Sequence, residues 1–554
     1  MLNSLPLASH WSFLATTEVF IRKSSGLVRG VTIWDAWIYN CLTMGWLSVA
    51  AYNIFYNPAV FPGGNQTLAI LMTAALGTSM WTTYVFISTA IPRSGVDWIA
   101  QSRFLTPWIA FPVVIGDFFY LIYWDVWAYW FATFLGMQPF FTLGGIAFNS
   151  SLLTGLANWI VTPPGYFTIG LIFMLFMGWQ LAAPITFFAK IQRYLMLFAS
   201  IALAIFVIGY LGLGHQGFIL NFNHFASKFV SDPDYYHTVI GKAAASGYNA
   251  NPGFNWYDQI GQMALIWSLL GWAFWSAQLA GEIKSADKLR AQNFMITGSG
   301  WITALTWLGV WLLVQNTAGE GFVKASVTLY NAGQWALPVS PYMGLYFAVL
   351  DPLLGWVGML ALFLFMLGMI CSAYQVYYNT MAGPIRMGFA MAFDRGLPDV
   401  FTRIHRKWRT PVFVVALAWA LALFIIYISA YAPATAPVFL PASLSSGTIP
   451  YTVTSLAGAL MPFTGKALYE VSPAAKYKIG KIPLITLLGS ISVIFNITMA
   501  YYWLTVPALG INPSSMIFVI AAYIVGLAWY VFWRAYRKRQ GIDFSLAFKL
   551  VPPD

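Results

Sequence analysis

Two acidic residues, Asp117 and Asp125, lie in the middle of an apolar stretch that covers residues 106 to 136. They are eight residues apart, which places them about 80° apart around an α-helix. A carboxylate in such surroundings costs at least a few kcal/mol unless it faces a polar cavity or binds a proton. Three interpretations follow: proton coupling, direct contact with a cationic substrate, or a neutral hydrogen bond to a Trp or Tyr of the same segment.

Four further charged residues could act as an ion-pair latch. Glu282 and Asp394 lie in loops that are otherwise basic, and Arg93 and Arg386 are among the basic residues. Opposite charges at such positions could hold helix ends together and separate when an inner gate opens. Plain solvated loops are the alternative interpretation.

The chain offers no support for covalent chemistry. A Walker lysine motif, a paired-His helix motif and a Gly-x-Ser-x-Gly elbow are all absent from the sequence, so we do not expect an enzyme. The spacings of His215, His224 and His237 match no standard zinc pattern, and both cysteines, Cys41 and Cys371, fall in apolar segments. We therefore expect neither a bound metal nor a cofactor.

The composition identifies the class of protein that must position these residues. The chain has 554 residues, of which 59% are hydrophobic and only 8% charged, whereas soluble domains are typically about 25% charged. Apolar stretches of about 20 residues, the length needed to cross a bilayer, recur along the whole chain. These features predict an all-α, multi-pass membrane protein.

The apolar runs predict twelve transmembrane helices. The first six cover about 31–55, 67–92, 106–136, 164–187, 190–213 and 258–281. The second six cover about 292–316, 352–380, 410–431, 447–465, 482–505 and 514–536.

The basic residues predict the orientation of these helices. Of the 28 Lys and Arg residues, all but Lys228, Lys242 and Lys324 fall on one side of the twelve-helix arrangement. Because short cytoplasmic loops collect Lys and Arg, this side is predicted to be cytoplasmic, together with both termini. The net charge of +11 then reflects orientation and attraction to the lipid bilayer, and we expect no nucleic-acid partner.

Three sequence blocks resemble the amino acid-polyamine-organocation (APC) superfamily of permeases. The first is Pro92-Arg93-Ser94-Gly95-Val96-Asp97 with Ser102-Arg103, which is similar to the loop between the second and third helices of that family. The others are Ala280-Gly281-Glu282-Ile283-Lys284 and the block from Arg386 through Asp394-Arg395-Gly396-Leu397-Pro398. All three occur in the family's order.

The resemblance implies a leucine-transporter-like architecture of two inverted five-helix repeats plus two extra helices. The corresponding divisions are a cytoplasmic segment (1–30), a first repeat (31–213), an outer loop (214–257), a second repeat (258–465), helices 11 and 12 (466–536) and a cytoplasmic tail (537–554). In such folds the first helix of each repeat is interrupted near the midplane, where its freed backbone groups bind substrate.

The interruptions indicate the substrate-binding residues that the resemblance implies. They are Thr43, Met44, Gly45, Trp46 and Ser48 in helix 1, Asp117 in helix 3, and Ser268, Gly271, Trp272 and Phe274 in helix 6. Helix 1 departs from the family pattern, because it keeps a single glycine and places the bulky Trp46 beside it. Either the unwinding is supported differently, or the bound group is not a standard α-amino acid carboxylate.

The resulting expectation is a plasma-membrane permease that moves amino acids or related amines by alternating access. The coupling ion, H⁺ or Na⁺, stays open. An amino-acid receptor with a permease fold is the main alternative, and a channel is a third possibility.

Overall fold

The computed structural model describes residues 27–342 and 355–549, without the side chains of residues 49–50, 125–128, 377 and 436–446. The described chain is almost entirely helical. The helices of its first half are α1 (Ile33–Thr43), α2 (Ser48–Val60), α3 (Gln66–Ala90), α4 (Val96–Ala100), α5 (Pro107–Trp130), α6 (Gln138–Ala147), α7 (Ser151–Ile160), α8 (Pro163–Ala182), α9 (Ile185–Ala226) and α10 (Tyr235–Ala245).

The second half contains α11 (Trp256–Leu270), α12 (Leu289–Asn293), α13 (Ser299–Val314), α14 (Glu320–Asn331), α15 (Trp356–Phe393), α16 (Val412–Tyr431), α17 (Ala436–Thr464), α18 (Lys466–Val471), α19 (Leu484–Thr505) and α20 (Pro513–Arg539). A two-stranded antiparallel hairpin, β1 (Lys478–Ile479) and β2 (Ile482–Pro483), pairs Lys478 with Pro483 and Ile479 with Ile482. π-Helical turns follow α4, α5, α12 and α13, and 3-10 helices cover Gly271–Glu282, Asp399–Thr402, Pro433–Thr435, Pro473–Lys476, Pro507–Leu509 and Phe544–Phe548.

Ten helical stretches among the described residues are long and apolar enough to cross a membrane. They coincide with predicted helices 2 to 9, 11 and 12, so an all-α, multi-pass membrane protein is confirmed at this level. Predicted helix 1 is divided into α1 and α2, which have 11 and 13 residues and are each too short to cross alone. Predicted helix 10 corresponds to α17, a 29-residue helix rich in Pro, Ser and Thr.

One membrane helix extends well beyond the apolar run that predicted it. α15 continues from residue 380 to Phe393, and its last turns bury Met381, Ile385 and Met391. In α9, by contrast, Gly214 has non-helical angles (φ = 60°, ψ = −178°) and forms a kink directly after residue 213, where the predicted helix ends. A second helical part then runs to Ala226, and its Phe222 packs on Phe322 of α14. Hydropathy indicates the length of helix that crosses lipid. The predicted end of a helix therefore comes too early where the helix continues under a cover of protein.

The helices form an inner and an outer set. The most apolar window of Trp256–Glu282 is 94% buried inside the protein, whereas the corresponding values are 28% for α16 and 22% for α20. The stretch that holds the second predicted interruption therefore lies at the centre of the bundle, and α16 and α20 lie at its periphery.

The bundle has two polar ends. At one, which we call the basic end, the segments 93–103, 282–288, 386–399 and 534–539 meet. There Val31 N–H donates to the Glu282 carbonyl at 3.1 Å, and Arg537 Nη2 contacts Asp399 Oδ1 at 2.8 Å. At the opposite end, the outer-loop end, the segments 61–66, 246–262 and 320–328 meet.

A buried amide attaches α1 to the centre of the bundle. The Asn40 Nδ2 group donates to the Ser276 hydroxyl at 2.9 Å and to the Met295 carbonyl at 2.6 Å. Its Oδ1 accepts from the Ser276 backbone N–H at 2.7 Å. One side chain thus positions the 3-10 segment Gly271–Glu282 and the start of the next helix against α1.

Replacing this amide should destabilise the protein. Asn40→Ala leaves the Ser276 N–H and the Met295 carbonyl buried without partners, and each such group costs about 1–3 kcal/mol. We expect a clearly lower unfolding midpoint in detergent, whereas exposed Asn316→Ala should change stability by less than about 0.5 kcal/mol. Equal midpoints for the two variants would contradict this role of Asn40.

Candidate functional site

Predicted helix 1 is interrupted in the stretch that the resemblance indicates. α1 ends at Thr43, α2 begins at Ser48, and Gly45 adopts φ = 75°, a left-handed conformation that favours glycine. The N–H groups of Leu47 and Ser48 donate to the Ser372 hydroxyl of α15 at 3.1 and 3.3 Å. One glycine and one hydroxyl group therefore support the interruption.

Two polar groups at this break are buried and have no hydrogen-bond partner among the described residues. They are the indole N–H of Trp46, a residue that is 7% exposed, and the hydroxyl of Ser48, which is fully buried. Buried polar groups nearly always have a partner in folded proteins. The break therefore offers two hydrogen-bonding groups to a bound molecule, and Trp46 is one of them.

The second predicted interruption is a change of helix type. α11 ends at Leu270 and continues as the 3-10 helix Gly271–Glu282, which is 12 residues long, whereas 3-10 runs above about four residues are uncommon. Gly271 has ordinary helical angles, with φ = −52° and ψ = −29°. The glycine leaves room for the Tyr451 ring, because a Cβ atom at position 271 would lie only 3.0 Å from Cε2 of Tyr451.

Aromatic side chains of this 3-10 segment fill the middle of the bundle. Trp272 stacks on Trp124 of α5 with ring centroids 6.1 Å apart, and Phe274 stacks on Tyr84 of α3 at 3.8 Å. Phe274 also meets Tyr451 of α17 edge-on at 5.3 Å. Neither Trp272 nor Phe274 is exposed, so these rings pack between helices of both halves of the chain.

The remaining predicted binding residues also lie at the two interruptions. Met44 is fully buried inside the break. The Ser268 hydroxyl donates to the Leu265 carbonyl at 2.7 Å, and the Ser268 carbonyl accepts from Trp272 Nε1 at 2.7 Å. Ser268 therefore holds the Trp272 ring in place.

Asn379 of α15 connects the two interruptions, and sequence reasoning missed it. Its amide Nδ2 donates to the Tyr39 carbonyl at 3.1 Å and to the Thr43 hydroxyl at 2.8 Å. Its backbone carbonyl accepts from Trp275 Nε1 in the 3-10 segment at 2.7 Å, and its Oδ1 accepts from Gln192 of α9 at 2.8 Å. The only sequence feature that points to Asn379 is that it is a polar residue inside an apolar run. This feature does not identify the residues to which it binds.

Asp117 lies buried on α5, close to the aromatic centre. Its electrostatic neighbours are Tyr120 on the same helix, Tyr451 on α17 and a second acid, Asp97. Tyr120 packs on Trp272 at 6.0 Å, which links Asp117 to the 3-10 segment. The side chain of Asp125 lies outside the described residues.

Asp97 was part of the first family-like block but was not among the predicted site residues. The structure shows that its carboxylate is buried. It accepts hydrogen bonds from the Tyr84 and Thr454 hydroxyls, both at 2.6 Å, and from the Gln278 amide. Burial raises its pKa from 3.8 to about 6, against the lowering effect of these three hydrogen bonds. No local sequence pattern distinguishes this enclosed acid from a solvated loop acid.

Two of the predicted latch residues pair with each other at the basic end. Arg386 Nε contacts Glu282 Oε1 at 2.8 Å and its Nη2 contacts Oε2 at 3.2 Å, which is a bidentate geometry. Both side chains are at most 5% exposed. Glu282 and Arg386 are therefore a buried ion pair between the 3-10 segment and α15.

The third latch residue pairs with an arginine that was not among the candidates. Asp394 contacts Arg103 Nη1 at 2.5 Å and accepts from Trp98 Nε1 at 2.7 Å. Arg103 is part of the first family-like block, and this resemblance could have identified it as a candidate. Arg93 lies beside Arg29, where burial lowers its pKa, and its part in the latch stays a prediction.

The outer-loop end is joined by polar contacts as well. The Gly63 N–H donates to Asp258 Oδ2 at 2.7 Å. Lys324, whose side chain is 2% exposed, donates to the Pro62 carbonyl at 3.0 Å and pairs with Glu320 at 2.6 Å. This conformation of the protein thus has both ends of the bundle joined.

A scan against protein-family models finds no match for this chain, and a search of curated proteins finds none.

Breaking one partner of the Glu282–Arg386 pair should be far more damaging than removing both. Arg386→Met leaves a buried, uncompensated carboxylate, which costs about 3–5 kcal/mol, and adding Glu282→Leu should recover most of that loss. Unfolding midpoints in detergent measure both. The exposed pair Lys466–Glu470 provides the control, since Lys466→Met should have little effect. Equal stability of the single and double variants would contradict the buried pair.

Proposed function

We propose that this chain is a secondary active transporter of amino acids or related amines, a permease of the APC type. It has twelve transmembrane helices in two inverted five-helix repeats plus two extra helices, lies in the plasma membrane and has cytoplasmic termini. The three family-like sequence blocks and the one-sided distribution of basic residues support this proposal. The basic end then faces the cytoplasm.

The observation that carries the proposal is the interrupted helix α1–α2 at the centre of the bundle. Non-helical backbone at membrane depth is tolerated only where protein or a cavity covers it, and it commonly marks the binding site of a transporter. Here the break is joined through Asn379 to the buried 3-10 segment, so the two interruptions that the resemblance implies lie in contact with one residue of α15.

The break has the chemistry for a zwitterion or an amine. The C-terminal end of α1 carries partial negative charge and the N-terminal end of α2 partial positive charge, which suit an ammonium and a carboxylate respectively. The free Trp46 N–H and Ser48 hydroxyl lie at the α2 side, where a carboxylate oxygen would sit. Asp117, which lies close to the aromatic centre, is the acid that would pair with a cationic group.

Alternating access requires that each end of the bundle opens in turn while the other stays joined. The ion pairs Glu282–Arg386 and Asp394–Arg103 form the inner gate of this proposal. The contacts of Asp258 and Lys324 form the outer gate. The contacts Arg103–Asp394, Gly63–Asp258 and Pro62–Lys324 link elements of one repeat to those of the other, which supports their use as gates. The pair Glu282–Arg386 instead joins two parts of the second repeat.

Ligand-induced thermal stabilisation should identify the substrate. We expect one compound class among the twenty amino acids, polyamines and nucleobases, each tested with and without Na⁺, to raise the unfolding midpoint of the purified protein in detergent. Trp46→Phe and Ser48→Ala should each reduce the affinity about tenfold, because each removes one hydrogen bond to the ligand. Uptake of the same compound into proteoliposomes then separates a transporter from a receptor, which binds without uptake.

Trp81→Phe is the matched control for Trp46→Phe. The Trp81 indole N–H is also buried without a partner among the described residues, but it lies on α3 beside Trp267 and away from the break. Both variants lose similar packing, so only Trp46→Phe should lose affinity. Wild-type affinity in both variants would exclude the break as the binding site.

A further inference from the structure

We propose that Asp97 binds the coupling proton and that this protein is driven by H⁺, an inference that rests on the proposed transport function. Asp97 lies on α4, in the loop between two membrane-crossing helices at the basic end, and Tyr84 of the aromatic centre donates to it. The sequence suggested Asp117 and Asp125 for this task. Among the described side chains we favour Asp97, because its hydrogen bonds join parts that must separate when the inner gate opens.

The donors to Asp97 come from three different parts of the bundle. Tyr84 belongs to α3, Thr454 to α17 and Gln278 to the 3-10 segment. All of these donated hydrogens suit an ionised carboxylate, which only accepts. The negative charge of Asp97 therefore holds α3, α17 and the 3-10 segment together.

Two glutamines of the Asp97 hydrogen-bond network each have a side-chain oxygen that could accept a hydrogen bond from a protonated carboxyl group. Gln278 Oε1 and Gln101 Oε1 are buried and have no hydrogen-bond partner among the described residues. Gln278 uses its Nε2 for Asp97, and Gln101 uses its Nε2 for the Thr454 hydroxyl at 2.9 Å. When a proton binds to Asp97 Oδ2, rotation of the Gln278 amide lets Oε1 accept it, so the hydrogen bond reverses its direction.

Among the described residues, the groups that act on Asp97 include no cation. Arg103, on the π-helical turn after α4, is paired with Asp394, and Arg386, on α15, is paired with Glu282 of the 3-10 segment. The other titratable groups that face Asp97 are Tyr84, Tyr451 and Asp117, none of which is a cation at neutral pH. The proton is therefore the available counter-charge, bound below a pH of about 6 and released above it.

Proton binding at Asp97 acts directly on the inner gate. The Gly95 N–H donates to the Gln278 carbonyl at 3.0 Å, so Gln278 is held by the α4 loop through both its backbone and its side chain. Four residues further along, Glu282 forms the ion pair with Arg386. Loss of the Asp97 charge weakens the hydrogen bonds from Tyr84 and Thr454 and changes the one from Gln278, which keeps the 3-10 segment against this loop.

Infrared difference spectra of the purified protein test the proton site without any substrate. Between about pH 4.5 and about pH 7.5, a carboxylic-acid carbonyl band should appear and disappear with a midpoint near the pKa of about 6. Asp97→Asn should remove this band, and Asp117→Asn and exposed Asp287→Asn should keep it. A band that persists in Asp97→Asn, or no titrating band in the wild type, overturns the proposal.

Two further variants keep the test valid if Asp97→Asn does not fold. Tyr84→Phe and Thr454→Val each remove one donor to the ionised carboxylate, and each should raise the midpoint by about one pH unit. A residue with a merely structural role would lose stability without moving this midpoint. Unchanged midpoints in both variants therefore overturn the assignment.

Proteoliposome uptake of an equimolar mixture of the twenty radiolabelled amino acids tests the coupling. An inward proton gradient should accelerate wild-type uptake, whereas Asp97→Asn should exchange amino acids without a response to the gradient. Gradient-driven uptake by Asp97→Asn overturns the role of Asp97 alone. Absence of wild-type uptake under every condition, with an intact titrating band, overturns the transport function and the coupling with it.

Discussion

The backbone N–H groups of Leu47 and Ser48 impose the constraint on which the centre of this protein depends. Inside a bilayer, a peptide group that leaves a helix must find another partner, because water is absent. The Ser372 hydroxyl accepts from both groups, so the break is stable only while α15 lies against it. Asn379 lies two turns further along α15, on about the same face, and fixes the end of α1. One face of α15 therefore stabilises both sides of the interruption.

Side-chain amides take over the connections that backbone hydrogen bonds provide in continuous helices. The Asn40 amide holds the 3-10 segment through Ser276, and the Asn379 amide holds the end of α1 through the Tyr39 carbonyl and the Thr43 hydroxyl. A side-chain hydrogen bond can be exchanged by a rotamer change, whereas a helical backbone bond is lost only by unwinding. Elements joined in this way are fixed in one conformation and still able to separate as units.

The sequence predicts the positions of the membrane helices well, since bilayer thickness imposes a length that apolar runs reveal. The family resemblance indicates the stretch around Gly45 as an interruption, and the structure shows the break there, with Gly45 at φ = 75°. The sequence could not identify the contacts between Arg103 and Asp394, or between Asp97 and Thr454, whose members are hundreds of residues apart. Such pairs depend on how distant helices pack, and no local periodicity records that packing. The same limit applies to Gly271, whose role is set by the Tyr451 ring of another helix.

The buried ion pairs at the basic end are suited to contacts that form and break, because they contribute little net stability. Desolvation of two charges offsets much of their attraction, and each charge regains hydration when the pair separates into water, so joined and separated states are close in free energy. The balance between desolvation and attraction depends on how well water is excluded from the pair.

The segment Phe544–Phe548 covers the pair of Arg103 with Asp394. Arg103 donates to the Ala547 carbonyl at 3.2 Å and lies 5.7 Å from the Phe548 ring. Because attraction strengthens as the local dielectric falls, this cover favours the joined state. The short segment after α20 thereby contributes to the stability of the Arg103–Asp394 pair.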